Sequence, residues 1–196
     1  VSNYQGSIDW QALKAQGIDF AYLRLGMRGY GPEGTLYSDR SFARYYDGAK
    51  AAGIGVGVYF FSQAVTVREA AEEALHALTL LDGRALDLPV YYDWEPVAAE
   101  DSRTAAYDHL YLTAGAAAFC NVIERGGYTP GVYLNRQQGY YRYDLRSLSD
   151  RSLWVADYAD YPDFYYAYDV WQYADHARLD GVSEIIDLNL EFRPVT

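Results

Sequence analysis

The sequence predicts an α/β fold, a modified β/α barrel of the TIM-barrel type, and three observations carry that expectation. Near-continuous apolar runs alternate with helical patterns, the signature of a parallel sheet covered on its faces. Three of the helical segments close on glycine, the residue suited to the left-handed position past a helix end. Over the last third the runs come too close together to hold helices between them. The chain of 196 residues is 51% apolar, enough for one domain with a substantial core, and no low-complexity linker divides it.

The first helix is expected at residues 11–16, with Asp9 as its N-cap and Gly17 at its close, leading to a strand at 20–25. A helix at 40–52 ends on Gly53 and leads to a strand at 54–61. The third, 67–81, places Val67, Ala70, Ala71, Ala74, Leu75, Leu78 and Leu81 at a spacing of three and four, and precedes a strand at 88–94. The fourth, 101–125, ends on Gly126-Gly127 before a strand at 130–134. Strand starts at 20, 54, 88 and 130 leave 34, 34 and 42 residues, room for a crossover helix each time. The runs at 152–156, 168–173 and 184–188 follow at 16 to 22 residues, so they connect without helices. That makes seven strands, with an eighth whose tip is Val1-Ser2 and whose body lies before the sequence. An open doubly wound sheet is the alternative, disfavoured because no Gly-rich dinucleotide turn marks a switch point.

Charge narrows the function. Sixteen basic against 27 acidic residues give −11, which argues against nucleic acid and against docking on an anionic membrane. No apolar run approaches the roughly 18 residues of a membrane helix. The single cysteine, Cys120, permits no intrachain disulfide and no Cys-based zinc cluster; mid-helix, it reads as a small core residue. His76 and His109 fall in expected helices and His176 in a polar loop, which suggests neither a metal site nor a triad. Lys14 and Lys50 lie on helices, removing Schiff-base barrel chemistry, and Gly53-Ile-Gly-Val-Gly57 lacks the Lys-Ser/Thr of a phosphate loop, so its glycines read as close packing. Tyrosine is the oddity: 22 residues, twice Phe and Trp together. Tyr140-Tyr141, Tyr161 and Tyr165-Tyr166-Tyr168 are expected in late loops, covering flanks that missing helices leave bare.

In β/α barrels the working residues sit at the carboxyl ends of strands. The strongest such segment is Tyr91-Tyr92-Asp93-Trp94-Glu95-Pro96, where two acids alternate with aromatics and project to one side of an extended strand. Their Cα atoms lie about 6.5–7 Å apart, two strand rises. Paired carboxyls near that separation suit glycoside cleavage, which needs one protonated acid at the leaving oxygen and one anion beside the anomeric centre. Like charge and aromatic packing both push one of the pair toward its protonated form. Asp157 and Asp187 are further strand-end acids, and Arg24, inside an apolar strand, is either a core ion-pair partner or a substrate contact.

Taken together these motifs resemble the glycoside hydrolase family 25 lysozymes, the N-acetylmuramidases. The resemblance runs nearly end to end, through Val1-Ser-Asn-Tyr-Gln-Gly-Ser-Ile-Asp-Trp10, Ala51-Ala-Gly-Ile-Gly-Val-Gly-Val-Tyr-Phe-Phe61 and above all Pro89-Val-Tyr-Tyr-Asp-Trp-Glu95. It continues in Gly131-Val-Tyr-Leu-Asn135, Leu153-Trp-Val-Ala156, Trp171-Gln-Tyr173 and Asp187-Leu-Asn189. It implies eight strands with five helices, the last three strands lacking crossover helices, and residues 1–196 as a single catalytic domain whose first strand is truncated at Val1. Members of the family carry an aspartate immediately before the Val-Ser pair, a position just outside this sequence. The implied activity is hydrolysis of the β-1,4 bond from N-acetylmuramic acid to N-acetylglucosamine in peptidoglycan. Glu95 matches the general acid, Asp93 the acid that supports a substrate-assisted step, and Asp187 a further active-site carboxylate. Tyr59, Tyr133 and Trp171 match the groove lining; Tyr91 and Asp157, near strand ends, join them as candidate substrate contacts. No cofactor or metal is expected, nor any nucleic-acid or membrane partner; the partner is the peptidoglycan glycan strand, met by a monomer outside the cell, in the wall or as a released phage endolysin. A non-catalytic wall-binding module on the same barrel and a chitin-directed hydrolase are the alternatives.

Overall fold

The computed structural model describes residues 1–99, 101–105 and 111–192. Its eight strands are β1 Phe20–Arg28, β2 Leu36–Ser38, β3 Gly55–Ser62, β4 Val90–Trp94, β5 Pro130–Asn135, β6 Ser152–Ala156, β7 Val170–Ala177 and β8 Ile186–Glu191. They form one curled sheet in the order β2-β1-β3-β4-β5-β6-β7-β8. β1 and β3 to β7 run parallel, while β2 and β8 are antiparallel to their neighbours. Five helices accompany them: α1 Trp10–Ala15, α2 Phe42–Ala51, α3 Val67–Leu81, α4 Leu112–Arg125 and α5 Arg136–Tyr141. This is the modified β/α barrel the spacing predicts. The β6–β7 and β7–β8 connections hold no helix, as expected, whereas the β5–β6 connection, also expected bare, holds α5, a helix short enough to fit its length. Val1 pairs with β1 by donating to Tyr22 O at 2.9 Å and accepting from Arg24 N at 2.7 Å. No helix of the described residues is long and apolar enough to cross a membrane.

Four local expectations are corrected. The helix expected over 101–125 starts only at Leu112; residues 101–105 form turns in which Ser102 Oγ accepts from Thr104 N at 3.3 Å, a local bond that competes with helix. Residues 106–110, His109 among them, lie outside the described residues. Tyr140 and Tyr141 belong to α5 rather than a loop, because Asn135 and Gln138 build a reciprocal capping box at its start. His176 lies in β7, where register shifts after Gln172 and after Ala174 make the strand irregular. The short β2 was not anticipated; three residues are too few for a periodic signal.

Alternation along the strands builds two cores. One parity, with Leu23, Val58, Phe60, Tyr92, Val132 and Val155, packs outward beneath the helices. The other points into the lumen, where Tyr22, Tyr91, Tyr133, Trp154, Ala156 and Val170 form a separate buried cluster with Tyr59 against it. Trp154 is its centre: its ring lies 4.7 Å from Tyr22, 4.8 Å from Tyr133, 5.3 Å from Tyr91 and 6.1 Å from Tyr59. Glycine makes room for these rings. A Cβ on Gly57 would stand 2.4 Å from Tyr22 Cε1, and one on Gly131 would stand 2.3 Å from Tyr91 Cε1.

Gly131→Ala is therefore expected to destabilise the fold by about 1–3 kcal/mol, the usual cost of overpacking. Gly55→Ala, whose Cβ would meet nothing closer than 3.5 Å, serves as the tolerated control. Urea denaturation of the two variants against the parent measures both.

Candidate active site

A cleft of about 1370 Å³ runs from the carboxyl ends of the parallel strands down the seam between β1 and β8, where Phe20, Ala21, Leu190 and Glu191 line it. Its walls include Arg24 from β1, Tyr59 and Phe61 from β3, Asp93 from β4 with Glu95 just beyond it, Tyr133 from β5 and Trp154 from β6. Gln172 and Tyr173 from β7 and Asp187 and Asn189 from β8 also face it. The sheet thus brings Asp93, Glu95, Asp187, Tyr59 and Tyr133 into one cavity. Three other sequence candidates stand apart from its lining. Tyr91 is fully buried beneath it, its hydroxyl donating to Ser152 Oγ at 2.8 Å, which in turn donates to Asp169. Trp171 has the opposite parity to Gln172 and gives its indole N–H to Asp157 O at 2.7 Å. Asp157 lies 4.0 Å from Arg136 Nη1, in a cluster that also holds Asp163.

Burial governs the acids. Asp93 is 7% exposed and its Oδ1 has no hydrogen-bond partner among the described residues. Desolvation first, then the charge of Glu95, push its carboxyl well above the usual range, with Arg24 opposing. Glu95 is raised by burial and by Asp187. Asp187, at the solvent-facing rim, is raised by partial desolvation and by Asp175, with the Val1 ammonium and then His176 opposing. The Tyr59 and Tyr133 phenols are raised by burial and stay protonated at neutral pH.

Several side chains missed at the sequence level fix this geometry. Beyond Trp94 the β4 backbone is held by two buried glutamines, one from each flank. Gln63, following β3, donates to Glu95 O at 2.5 Å and accepts from Thr104 Oγ1 at 3.0 Å. Gln138, on α5, donates to Trp94 O at 3.0 Å. Neither lies in a motif that marks such a role; the signal available was only their place one turn or one residue past a strand end. Tyr133 and Tyr158 both donate to Gln172 Oε1 at 2.9 Å, and Trp154 donates to Asn189 Oδ1 at 2.8 Å, tying β5, β6, β7 and β8 together at the cleft. Arg24, left open by the sequence, is an ion-pair partner of buried Asp39 at 2.9 Å, and it also lines the cleft.

The model of the family described as glycosyl hydrolases family 25 matches residues 1–182. An autolytic lysozyme of Clostridium acetobutylicum is 28% identical over 187 residues, which is 94% of this chain and 52% of that protein. The modular autolysin LytC of Streptococcus pneumoniae superposes with a TM-score of 0.82 at 23% identity, over 96% of this chain and 44% of its own. A bacterial lysozyme from Streptomyces coelicolor gives 0.77 at 22%, over 100% and 91%. The chain therefore spans about half the length of the first two, and the two structures share its fold.

Because these carboxyls carry raised values in the fold, the native state binds more protons than the unfolded chain above the ordinary carboxylate range. Stability contributed this way is present at mildly acid pH and is lost as pH rises through the folded-state values. Glu73, fully buried against Arg28 and raised to about 7, acts in the same direction. The thermal midpoint is expected to rise as pH falls from about 8 to about 5.5. Asp93→Asn should raise stability at the alkaline end by about 1 kcal/mol or more and flatten the slope, which calorimetry across that pH range measures.

Proposed function

The chain belongs to the glycosyl hydrolases family 25, and we propose that it is a muramidase, cleaving the β-1,4 bond from N-acetylmuramic acid to N-acetylglucosamine in peptidoglycan. The observation that carries this reading is the convergence of Asp93, Glu95 and Asp187, all with raised carboxyl values, on one aromatic-walled cleft. Glu95 is the general acid: it gives its proton to the glycosidic oxygen as the bond to the anomeric carbon breaks and the electron pair leaves with that oxygen. The sugar's own acetamido oxygen closes on the anomeric carbon, and Asp93 accepts the acetamido N–H and balances the positive charge that develops. Water then attacks the same carbon as the bond to the acetamido oxygen breaks and its electron pair returns to the acetamido group, and Glu95, now a carboxylate, takes the water's proton. Asp187 adds negative potential from the opposite rim. Tyr59 and Tyr133 offer flat rings with polar edges to the sugars.

The autolytic character named for the Clostridium relative supports action at a bacterial wall, as a secreted enzyme or a released endolysin. The chain's net charge of −11 offers no attraction to an anionic wall, so recognition rests on the groove.

Glu95→Gln is expected to lower the release of reducing ends from purified peptidoglycan by about 10²–10⁴-fold with an unchanged circular dichroism spectrum. Wild-type rates in that variant overturn the assignment of Glu95. Sedimentation of the parent chain with peptidoglycan, without new reducing ends at any pH, would identify a wall-binding module instead. The rate of the parent should fall on the alkaline side at a pH above the ordinary carboxylate range, because Glu95 must hold its proton.

A further inference from the structure

Beside the catalytic cleft a second, smaller recess of about 330 Å³ shares two of its wall residues, Tyr4 and Arg24. Asn3, Tyr37, Asp39 and Arg40 stand around the rest of it. Its charges are unequally spent. The Asp39 carboxylate is saturated: Oδ2 accepts from Arg24 Nε at 2.9 Å and from Asn3 N at 3.0 Å, and Oδ1 accepts from Ser41 N at 2.9 Å. Arg24 is committed to Asp39 and to the Asn3 side-chain oxygen, and its guanidinium lies 5.2 Å from the centre of the Tyr4 ring. Arg40 is exposed and makes no ion pair or hydrogen bond among the described residues. The recess is therefore lined by one arginine without a partner among the described residues and by two exposed tyrosines, Tyr4 at 72% and Tyr37 at 52%, in a chain of net charge −11.

We propose that this recess takes the acidic arm carried on O3 of the muramic acid ring, with Arg40 pairing with a carboxylate of that arm and Tyr4 and Tyr37 flanking its apolar part. The proposal rests on the muramidase reading and names the part of the substrate that the reading leaves unplaced. C3 neighbours C2, so an acetamido group at C2 facing Asp93 brings the O3 substituent out along the same edge of the ring. The recess adjoins the acids through Arg24, which lines both cavities and whose charge acts on Asp93. A guanidinium is the donor best shaped for a carboxylate. N-acetylglucosamine lacks the arm altogether, so the recess provides a means of preferring muramic acid that the carboxyl cluster does not. The carboxylate has two sources, the lactyl group itself when the peptide has been removed, or the first acidic residue of the stem peptide when it is present.

The test compares Arg40→Gln with the parent chain on three substrates: peptide-bearing glycan strands, strands stripped of peptide by an amidase, and chito-oligosaccharides offered as competing ligands. The expected result is a drop in kcat/KM of about five- to tenfold on one or both muramic strands, carried by KM, with competition by chito-oligosaccharides unchanged. Loss on the stripped strands assigns the lactyl carboxylate; loss on the peptide-bearing strands alone assigns the stem peptide. Equal rates for variant and parent on both strands, or an equal loss of affinity for chito-oligosaccharides, overturn the proposal. If the parent chain releases no reducing ends from either strand, the muramidase reading fails instead. Arg40→Lys, which keeps the charge, should recover part of the loss, and a thermal midpoint equal to the parent's separates a binding defect from a folding one.

Discussion

The interaction on which the rest of this molecule depends is the packing of Trp154 among four lumen tyrosines. A parallel barrel must fill its interior with side chains, and branched aliphatic layers are the usual solution. Here Tyr22, Tyr91, Tyr133 and Trp154 fill it, with Tyr59 above, and Gly57 and Gly131 supply the space. Large rings leave a dry, stiff floor high in the barrel. Asp93 stands two residues above Tyr91 on the same strand face and inherits that floor as its surroundings. Its raised carboxyl is thus a consequence of how the lumen is filled.

The same floor explains why polar side chains, rather than ladder bonds, finish the strands. Past Trp94 the chain must turn away while Glu95 stays aimed at the cleft. Gln63 and Gln138 replace the missing ladder partners from the two flanking elements. Gln63 is itself held by Thr104, from the segment that Arg103 anchors through Glu69 at 2.6 Å and through its own N–H to Tyr30 O at 2.9 Å. A buried network of this sort is costly when half satisfied and rigid when complete. The position of Glu95 thus depends on residues spread over more than forty positions of sequence, none of which touches the cleft's chemistry.

Much of this was legible in the residues. The spacing of apolar runs and glycines carried the succession of strands along the chain and the loss of helices after β6, since crossover length is a hard geometric limit; the bare β5–β6 connection that the same spacing implied is instead filled by the short α5. Asp93 and Glu95 stood out because two acids after Val-Tyr-Tyr are expensive without a purpose. What escaped was parity and tertiary partnership. In Trp171-Gln172-Tyr173 the aromatic residue drew attention, yet Gln172 has the lumen parity and holds Tyr133 and Tyr158. Tyr91 was placed in the groove for standing near a strand end, though it lies a full strand repeat below the acids. The tyrosine excess divides along the same lines: some fill the lumen, Tyr140 and Tyr168 pack on the core beside buried Phe164, and Tyr141, Tyr161 and Tyr165 remain exposed. Composition counts all of them alike.

The three acids pose one last question of balance, and its answer couples binding to chemistry. In a cleft of low polarity burial and mutual repulsion raise all three carboxyls, so protons on Asp93 and Glu95 titrate as those of a pair rather than of either residue alone. Before a sugar arrives, burial favours a proton on the deeper acid, Asp93, with Arg24 and the Val1 ammonium opposing it. On the proposed reading, an acetamido N–H pointing at Asp93 is a hydrogen bond that the charged form accepts and the protonated form accepts poorly. On that same proposed reading, binding would move the proton outward to Glu95, toward the glycosidic oxygen, and leave the anion beside the anomeric carbon. A ligand lacking the acetamido group would occupy the cleft without making this shift. Selectivity for N-acetylated sugars and competence of the general acid then have one physical origin, the shared proton of a desolvated pair.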